Sequence, residues 1–246
     1  MIEKKNTDVL AIGAHPDDIE LGCGGTIAKL VKLGYQVTLC DLTQGELGTR
    51  GTKEIRLKEA NKAAKILGVV SRYNLRIPDG NIELNKKNLH KLITLIRELR
   101  PKVLFIPTGI ERHPDHIHAN ILCKEAWFYS GLVKLKSKLN NKLQEPFRPH
   151  HYFEYMQWIE TVPKFIVDVS DTFEIKMKAI RTYLSQLYNP SIKGNETKIS
   201  QPDFLDIIET RCKYHGNRIG VKYGEPFTTA LDIGFDDPLS ILISKG

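Results

Sequence analysis

Val9-Leu10-Ala11-Ile12-Gly13-Ala14-His15-Pro16-Asp17-Asp18-Ile19-Glu20-Leu21-Gly22-Cys23-Gly24-Gly25 is an apolar run that closes on small residues. It then meets a histidine and two adjacent carboxylates, and a helical pattern opens. Val9 to Ala14 has the length and continuity of a buried strand. Ile19, Ile27, Leu30 and Val31 follow a helical period, with Gly34 as the stop. His15, Asp17 and Asp18 are therefore expected where a buried strand ends. A second polar cluster, His113-Pro114-Asp115-His116, follows another apolar run, Val103 to Ile106.

Strands and helices alternate between the two clusters. Tyr35 to Leu42 reads as a second strand, followed by a polar, glycine-rich loop from Thr43 to Thr52. Lys53 to Leu67 reads as a helix capped by Gly68. Arg72 to Ile77 reads as a third strand, closed by the turn Pro78-Asp79-Gly80. Leu84 to Leu99 is an amphipathic helix that Pro101 ends. This alternation predicts a Rossmann-like α/β fold, doubly wound, its mostly parallel sheet covered by helices on both faces. Right-handed crossovers leave few topologies, and the common order 3-2-1-4-5 makes strands 1 and 4 neighbours. Ligands of such sheets bind outside the carboxyl ends of the strands, where the order reverses. Both clusters are expected in that one crevice.

Past the second cluster, Ile117 to Tyr129 reads as a helix and Lys134 to His151 as a basic loop. Glu154 to Ile159 and Phe165 to Val169 read as strands. A helix is expected from Ser170 or Asp171 to about Leu187, a mobile loop from Tyr188 to Pro202, and a last helix from Phe204 to Tyr214. Neither a repeat nor a boundary interrupts the chain, so residues 1–246 are read as a single domain.

A hydrophobic fraction of 41% suffices for a full core, and 26% charged residues keep the surface wet. No segment reaches the ~18 uninterrupted apolar residues of a membrane span. Met1 to Asp8 is polar, without a signal-peptide centre, so a cytoplasmic location is expected. The sequon Asn195-Glu196-Thr197 is read as chance in that context. Cys23, Cys40, Cys123 and Cys212 are too dispersed for a zinc ribbon or a disulfide scaffold and read as core thiols, Cys23 alone lying near enough to the first cluster to be a ligand. The formal charge is +7, but the basic residues are scattered and no nucleic-acid module is present. An anionic small substrate is the more specific partner for that charge.

A catalytic zinc takes three protein ligands and leaves a position for water. His15, Asp18 and His116 supply such a set. Adjacent residues diverge, so Asp17 stays free to act as a general base on bound water. His113 would face a substrate carbonyl as oxyanion partner or acid, with Asp115 orienting its ring. The same residues also satisfy purely structural patterns. Asp17 and Glu20 fit a capping box, and His113-Pro114 fits a helix start with proline at the first position.

The paired motifs Ala14-His15-Pro16-Asp17-Asp18-Ile19-Glu20-Leu21-Gly22-Cys23-Gly24-Gly25 and His113-Pro114-Asp115-His116 resemble those of the LmbE-like, or PIG-L, N-acetylglucosamine deacetylases. The likeness continues through Cys40-Asp41-Leu42-Thr43, Gly51-Thr52 with Arg56, and Ile77-Pro78-Asp79, and closes at Gly220-Val221-Lys222-Tyr223-Gly224-Glu225-Pro226-Phe227. The subgroup it most resembles is the bacillithiol-pathway deacetylase, which removes acetate from N-acetyl-alpha-D-glucosaminyl L-malate. The resemblance implies Zn2+ on His15, Asp18 and His116, with Fe2+ or Mn2+ as cellular alternatives. It also implies Asp17 as base, His113 as its electrostatic or acid partner, a homo-oligomer, and Arg56 and Arg112 at the substrate mouth. Two arginines there would suit a dicarboxylate aglycone. Chito-oligosaccharides, glycolipids and thiol conjugates are the alternative substrates, and a binding module without catalysis is the alternative class. Some relatives place a tyrosine hydroxyl over the metal where Phe204 aligns here; either another donor such as Tyr188 replaces it, or none does.

Overall fold

A computed structural model of the chain describes residues 7–191 and 195–237. Residues 192–194 of the loop expected from Tyr188 to Pro202, and most of the polar opening before Thr7, lie outside the described residues. The elements run β1 (Val9–Gly13), α1 (Asp18–Lys32), β2 (Val37–Asp41), α2 (Lys53–Leu67), β3 (Ser71–Asn74), α3 (Lys86–Leu99), β4 (Val103–Pro107) and α4 (Pro114–Ser130). A short ribbon follows, β5 (Lys138–Leu139) with β6 (Lys142–Leu143), then β7 (His151–Tyr155), β8 (Phe165–Asp168), α5 (Phe173–Ile180), α6 (Phe204–Arg218) and β9 (Gly224–Thr228).

The main sheet has the order β3-β2-β1-β4-β7-β9-β8. Its first five positions are parallel and reproduce the expected 3-2-1-4-5 arrangement, β7 being the fifth. β9 and β8 extend it antiparallel. β1 lies between β2 and β4, with Val9 opposite both Val37 and Val103. Side chains alternate across a strand, so β1 feeds two cores. Leu10 and Ile12 pack with Leu92 and Ile96 of α3 and Leu122 and Ala126 of α4. Val9 and Ala11 pack with Ile19 and Ile27 of α1, Ala60 and Ala63 of α2, and Ala179 of α5. A third cluster joins α5 to α6 through Met177, Ile208 and Cys212.

All four cysteines are free and buried. Cys23 belongs to the second core, where α1 breaks its helical geometry at φ −143°, ψ 22°, and it stands in neither metal-competent cluster among the described residues. The break runs beside Gly22, where a Cβ would stand 2.2 Å from Tyr155 Cδ2. Tyr155 has no room to yield: it is fully buried, and its hydroxyl donates to Ile12 O at 2.8 Å. No helix among the described residues is long and apolar enough to cross a membrane.

Several boundaries differ from the sequence reading. β3 ends at Asn74 because Arg76 turns to φ 49°. β7 begins at His151, not Glu154, set by its register on β4, and the chain leaves the sheet after Tyr155. α5 stops at Ile180, short of Leu187, while α6 continues to Arg218. The basic loop contains a hairpin whose turn, Asn140-Asn141, has both φ values positive, 49° and 64°, the pairing that type I′ turns require. β9 escapes the sequence reading because Gly224 and Pro226 interrupt its pattern.

Candidate active site

The loops after β1 and β4 meet as expected. His15 N donates to Asp18 Oδ2 at 2.8 Å, which folds the turn back on itself. His15 Nδ1 lies 3.5 Å from Asp18 Oδ2, and His116 Nε2 lies 3.2 Å from Asp18 Oδ1. The His15 and His116 rings are 5.5 Å apart between centroids. Ligand atoms of His15, Asp18 and His116 all fall within 4.8 Å of one another, and those of His15, His113 and Asp115 do so too. Two imidazoles and a carboxylate at this spacing fit a divalent cation. The electrostatics agree. Burial disfavours a charged His15 ring, yet Asp115, Asp18 and Asp79 outweigh it and raise its pKa well above the imidazole value. Burial would raise Asp18, but His116 and His15 hold its carboxyl well below the usual range. The pocket favours positive charge at its centre.

Asp17 sits at the head of α1 with φ 118° and makes no side-chain cap bond. The capping box is therefore not formed; Glu20 instead accepts from Arg72 Nη1 at 2.6 Å and Tyr183 OH at 3.0 Å. A left-handed aspartate is strained by about 1–3 kcal/mol and marks functional turns. Burial lifts the Asp17 carboxyl to about 7 against the pull of Arg56. A base with that affinity is matched to neutral pH.

Arg56 does line the cavity, but on its floor and not at its mouth. Only 4% of it is exposed. Its Nη2 donates to Pro16 O at 2.6 Å and lies 3.3 Å from Asp17 Oδ1, and its Nη1 donates to Gly45 O at 3.3 Å. Gly45, at φ 67°, leaves the room this needs: a Cβ there would stand 2.1 Å from Arg56 Nη1. The guanidinium faces the candidate base, so the expected pairing with substrate carboxylates is replaced by an internal one. Arg112, by contrast, is exposed and lies over the Trp158 ring, 4.7 Å from its centroid.

His113 is both the N-cap of α4 and part of the site. Its Nδ1 accepts the Asp115 N–H at 3.2 Å, with Pro114 at the first helical position. The bond requires an unprotonated Nδ1 and leaves Nε2 to carry the ring proton. Burial and the nearby His15 and His116 rings also lower its pKa, which favours the neutral ring. The Asp115 carboxylate does not orient His113, as its position in the motif suggested. It makes its bonds elsewhere, accepting from Gly80 N at 2.9 Å and lying 3.3 Å from His15 Nε2. The peptide N–H does the orienting.

Two contributors escape the sequence reading. Asp79, part of a turn by composition, places Oδ1 3.0 Å from His15 Nε2 and accepts Leu47 N on Oδ2. Gln157 donates from Nε2 to both Asp18 Oδ1 and Asp18 O at 3.0 Å. Their signal was position: each follows a strand of the same sheet on the same rim. Phe204 is buried in the cavity wall and tilts against Trp158 at 5.9 Å. Tyr188 lines an adjoining apolar groove and not this cavity, so it does not stand where the missing hydroxyl would. The cavity holds ≈ 360 Å³ and is lined by His15, Asp17, Asp18, Arg56, Asp79, Arg112, His113, Asp115 and His116.

The fold and the cluster define a class: doubly wound α/β proteins with a metal-competent polar pocket outside the carboxyl ends of the central strands. Comparison with known proteins narrows it. The family described as PIG-L, GlcNAc-PI de-N-acetylase, matches residues 10–127. Diacetylchitobiose deacetylase of Thermococcus kodakarensis is 32% identical over 227 residues, covering 88% of this chain and 80% of that protein. The crystal structure of a conserved protein from Thermus thermophilus matches with a TM-score of 0.83 at 36% identity, over 93% of this chain and 97% of that one. That of N,N'-diacetylchitobiose deacetylase from Pyrococcus horikoshii matches with a TM-score of 0.75 at 30% identity, over 92% and 84%. The chain belongs to the PIG-L, or LmbE-like, deacetylases, hydrolases of N-acetyl amide bonds.

Proposed function

We propose that this enzyme removes acetate from N-acetyl-alpha-D-glucosaminyl L-malate, a step of bacillithiol biosynthesis. The observation that carries the chemistry is the convergence of His15, Asp18 and His116 with Asp17 around one cavity. His15, Asp18 and His116 would hold a divalent cation, zinc by the donor set, with iron or manganese as alternatives. When bound, that cation supplies Lewis acidity toward water and the amide carbonyl. Asp17 takes the proton of the attacking water and returns it to the departing nitrogen, so amide and water become acetate and amine. His113 offers its Nε2 proton to the oxygen on which negative charge develops. Asp79 and Asp115 hold the His15 ring from its far nitrogen.

Asp79→Asn is expected to weaken zinc binding about 10- to 100-fold, read by titration against a chromophoric chelator. An unchanged affinity would remove Asp79 from the support of the metal.

The malate assignment rests on the motif likeness and on Arg112, which stands exposed beside the cavity. A charged hydrogen bond to a carboxylate is worth about 10-fold or more in binding. The metal-loaded enzyme should therefore turn over N-acetylglucosaminyl malate with a kcat/KM about 10-fold or more above that for methyl N-acetyl-alpha-D-glucosaminide. Equal values would withdraw the malate preference. The resemblance to diacetylchitobiose deacetylase favours a second reading, a neutral chito-oligosaccharide, and a higher rate on that substrate would establish it.

A further inference from the structure

We propose that Lys198 and Arg211 complete, with Arg112, a cationic rim around Trp158 that reads the carboxylates of the aglycone. This rests on the malate reading above and assigns two residues that it did not contain. The three cations come from different parts of the chain: the loop after β4, the segment before α6, and α6 itself. All three line the same cavity, together with Trp158.

Arg112 and Lys198 share one aromatic ring. The Arg112 guanidinium stands 4.7 Å and the Lys198 ammonium 5.6 Å from the Trp158 centroid. Trp158 is held from behind. Glu111 accepts the Trp158 backbone N–H at 2.9 Å on one oxygen and the Arg112 backbone N–H at 2.7 Å on the other. Phe204, the first residue of α6, leans on Trp158 and brings that helix to the same wall. Arg211 projects from it and donates one N–H from Nη2 to Leu21 O at 2.9 Å.

Among the described residues, no side-chain ion pair within 4.0 Å joins these cations to a carboxylate, although Glu111 accepts the Arg112 backbone N–H and Glu160 feels the Arg211 charge. The acidic groups of the cavity, Asp17, Asp18, Asp79 and Asp115, belong to the donor cluster, and each has His15, His116 or Arg56 against it. The pocket is thus divided, with anions around the donor cluster, Arg112 and Lys198 on an aromatic shelf beside it, and Arg211 in the same lining. Cations stacked on an aromatic ring remain free to accept an anion edge-on. Clustered like charges also concentrate anionic ligands from solution. A neutral glycoside would use none of this. A compact dicarboxylate would satisfy it, and so would a phosphate.

Lys198→Glu and Arg211→Gln test the rim. Lys198 is exposed, so its variant folds; melting temperatures check Arg211→Gln, whose parent also bonds α1. Kinetics are measured on N-acetylglucosaminyl malate, N-acetylglucosamine 1-phosphate and the neutral methyl glycoside. Each variant is expected to reduce the malate-to-methyl ratio of kcat/KM about 10-fold, mainly through KM, and more steeply at low salt. If the wild type prefers malate and both variants keep that ratio, the rim is wrong while the substrate reading stands. If the wild type shows no malate preference, the substrate reading falls and the rim falls with it. A wild-type preference for the phosphate that both variants abolish would also overturn the proposal, because the rim would then serve a different anion.

Discussion

Asp17→Asn is expected to lower kcat by about 10²- to 10⁴-fold while zinc still binds. The reason lies in one atom. An asparagine amide has nearly the shape of the carboxylate but takes no proton at neutral pH. Asparagine also tolerates the left-handed backbone that Asp17 adopts at φ 118°, so the turn that delivers His15 and Asp18 is kept. Arg56 loses its anionic neighbour but retains Pro16 O and Gly45 O as acceptors. Steady-state kinetics on the acetylated glycoside, paired with metal titration of the same preparation, separates the two effects. Turnover within a few-fold of wild type would show that Asp17 is not the base. Loss of zinc together with activity would show that the residue builds the site and does not act in it.

The second large effect falls on stability. Lys176 and Glu225 form a pair at 2.5 Å, with exposures of 0% and 1%. Glu225 also accepts Gly25 N at 2.9 Å, Thr26 N at 2.7 Å and Thr26 Oγ1 at 2.6 Å. Lys176 donates to Leu21 O at 3.0 Å. Together they tie β9 and α5 to α1 on either side of its break at Cys23. Removing one partner of such a pair leaves an uncompensated buried charge and costs about 3–5 kcal/mol. Glu225→Gln should therefore destabilise by that amount in urea denaturation. Lys176→Met should cost less, because Glu225 keeps its three other donors. A Glu225→Gln loss below about 1 kcal/mol would mean that the pair contributes no more than a surface ion pair does.

Much of this arrangement is legible without coordinates because it depends on patterning. A short apolar run closed by small residues makes β1, and alternation with helices makes the sheet parallel. A parallel, right-handed sheet places the carboxyl ends of β1 and β4 together, so His15, Asp18 and His116 converge. The roles of neighbouring residues are less legible. Pro78-Asp79-Gly80 has turn composition, and nothing in it announces that Asp79 reaches His15. Arg56 reads as an ordinary helix residue, and only the path of the loop through Gly45 reveals that its guanidinium faces Asp17. His113-Pro114 satisfies the structural reading as well as the functional one, since the capping bond is what aims the ring.

The order of the five parallel strands and the meeting of the two histidine clusters were thus determined by the sequence alone, because hydrophobic periodicity and crossover handedness are properties of short stretches. The direction in which each polar side chain turns was decided only by the tertiary structure. Asp115 facing His15, Arg56 facing Asp17, and Arg112 and Lys198 sharing Trp158 each depend on contacts between segments far apart in the chain. Such contacts are set by packing and burial, and the local pattern of residues does not encode them.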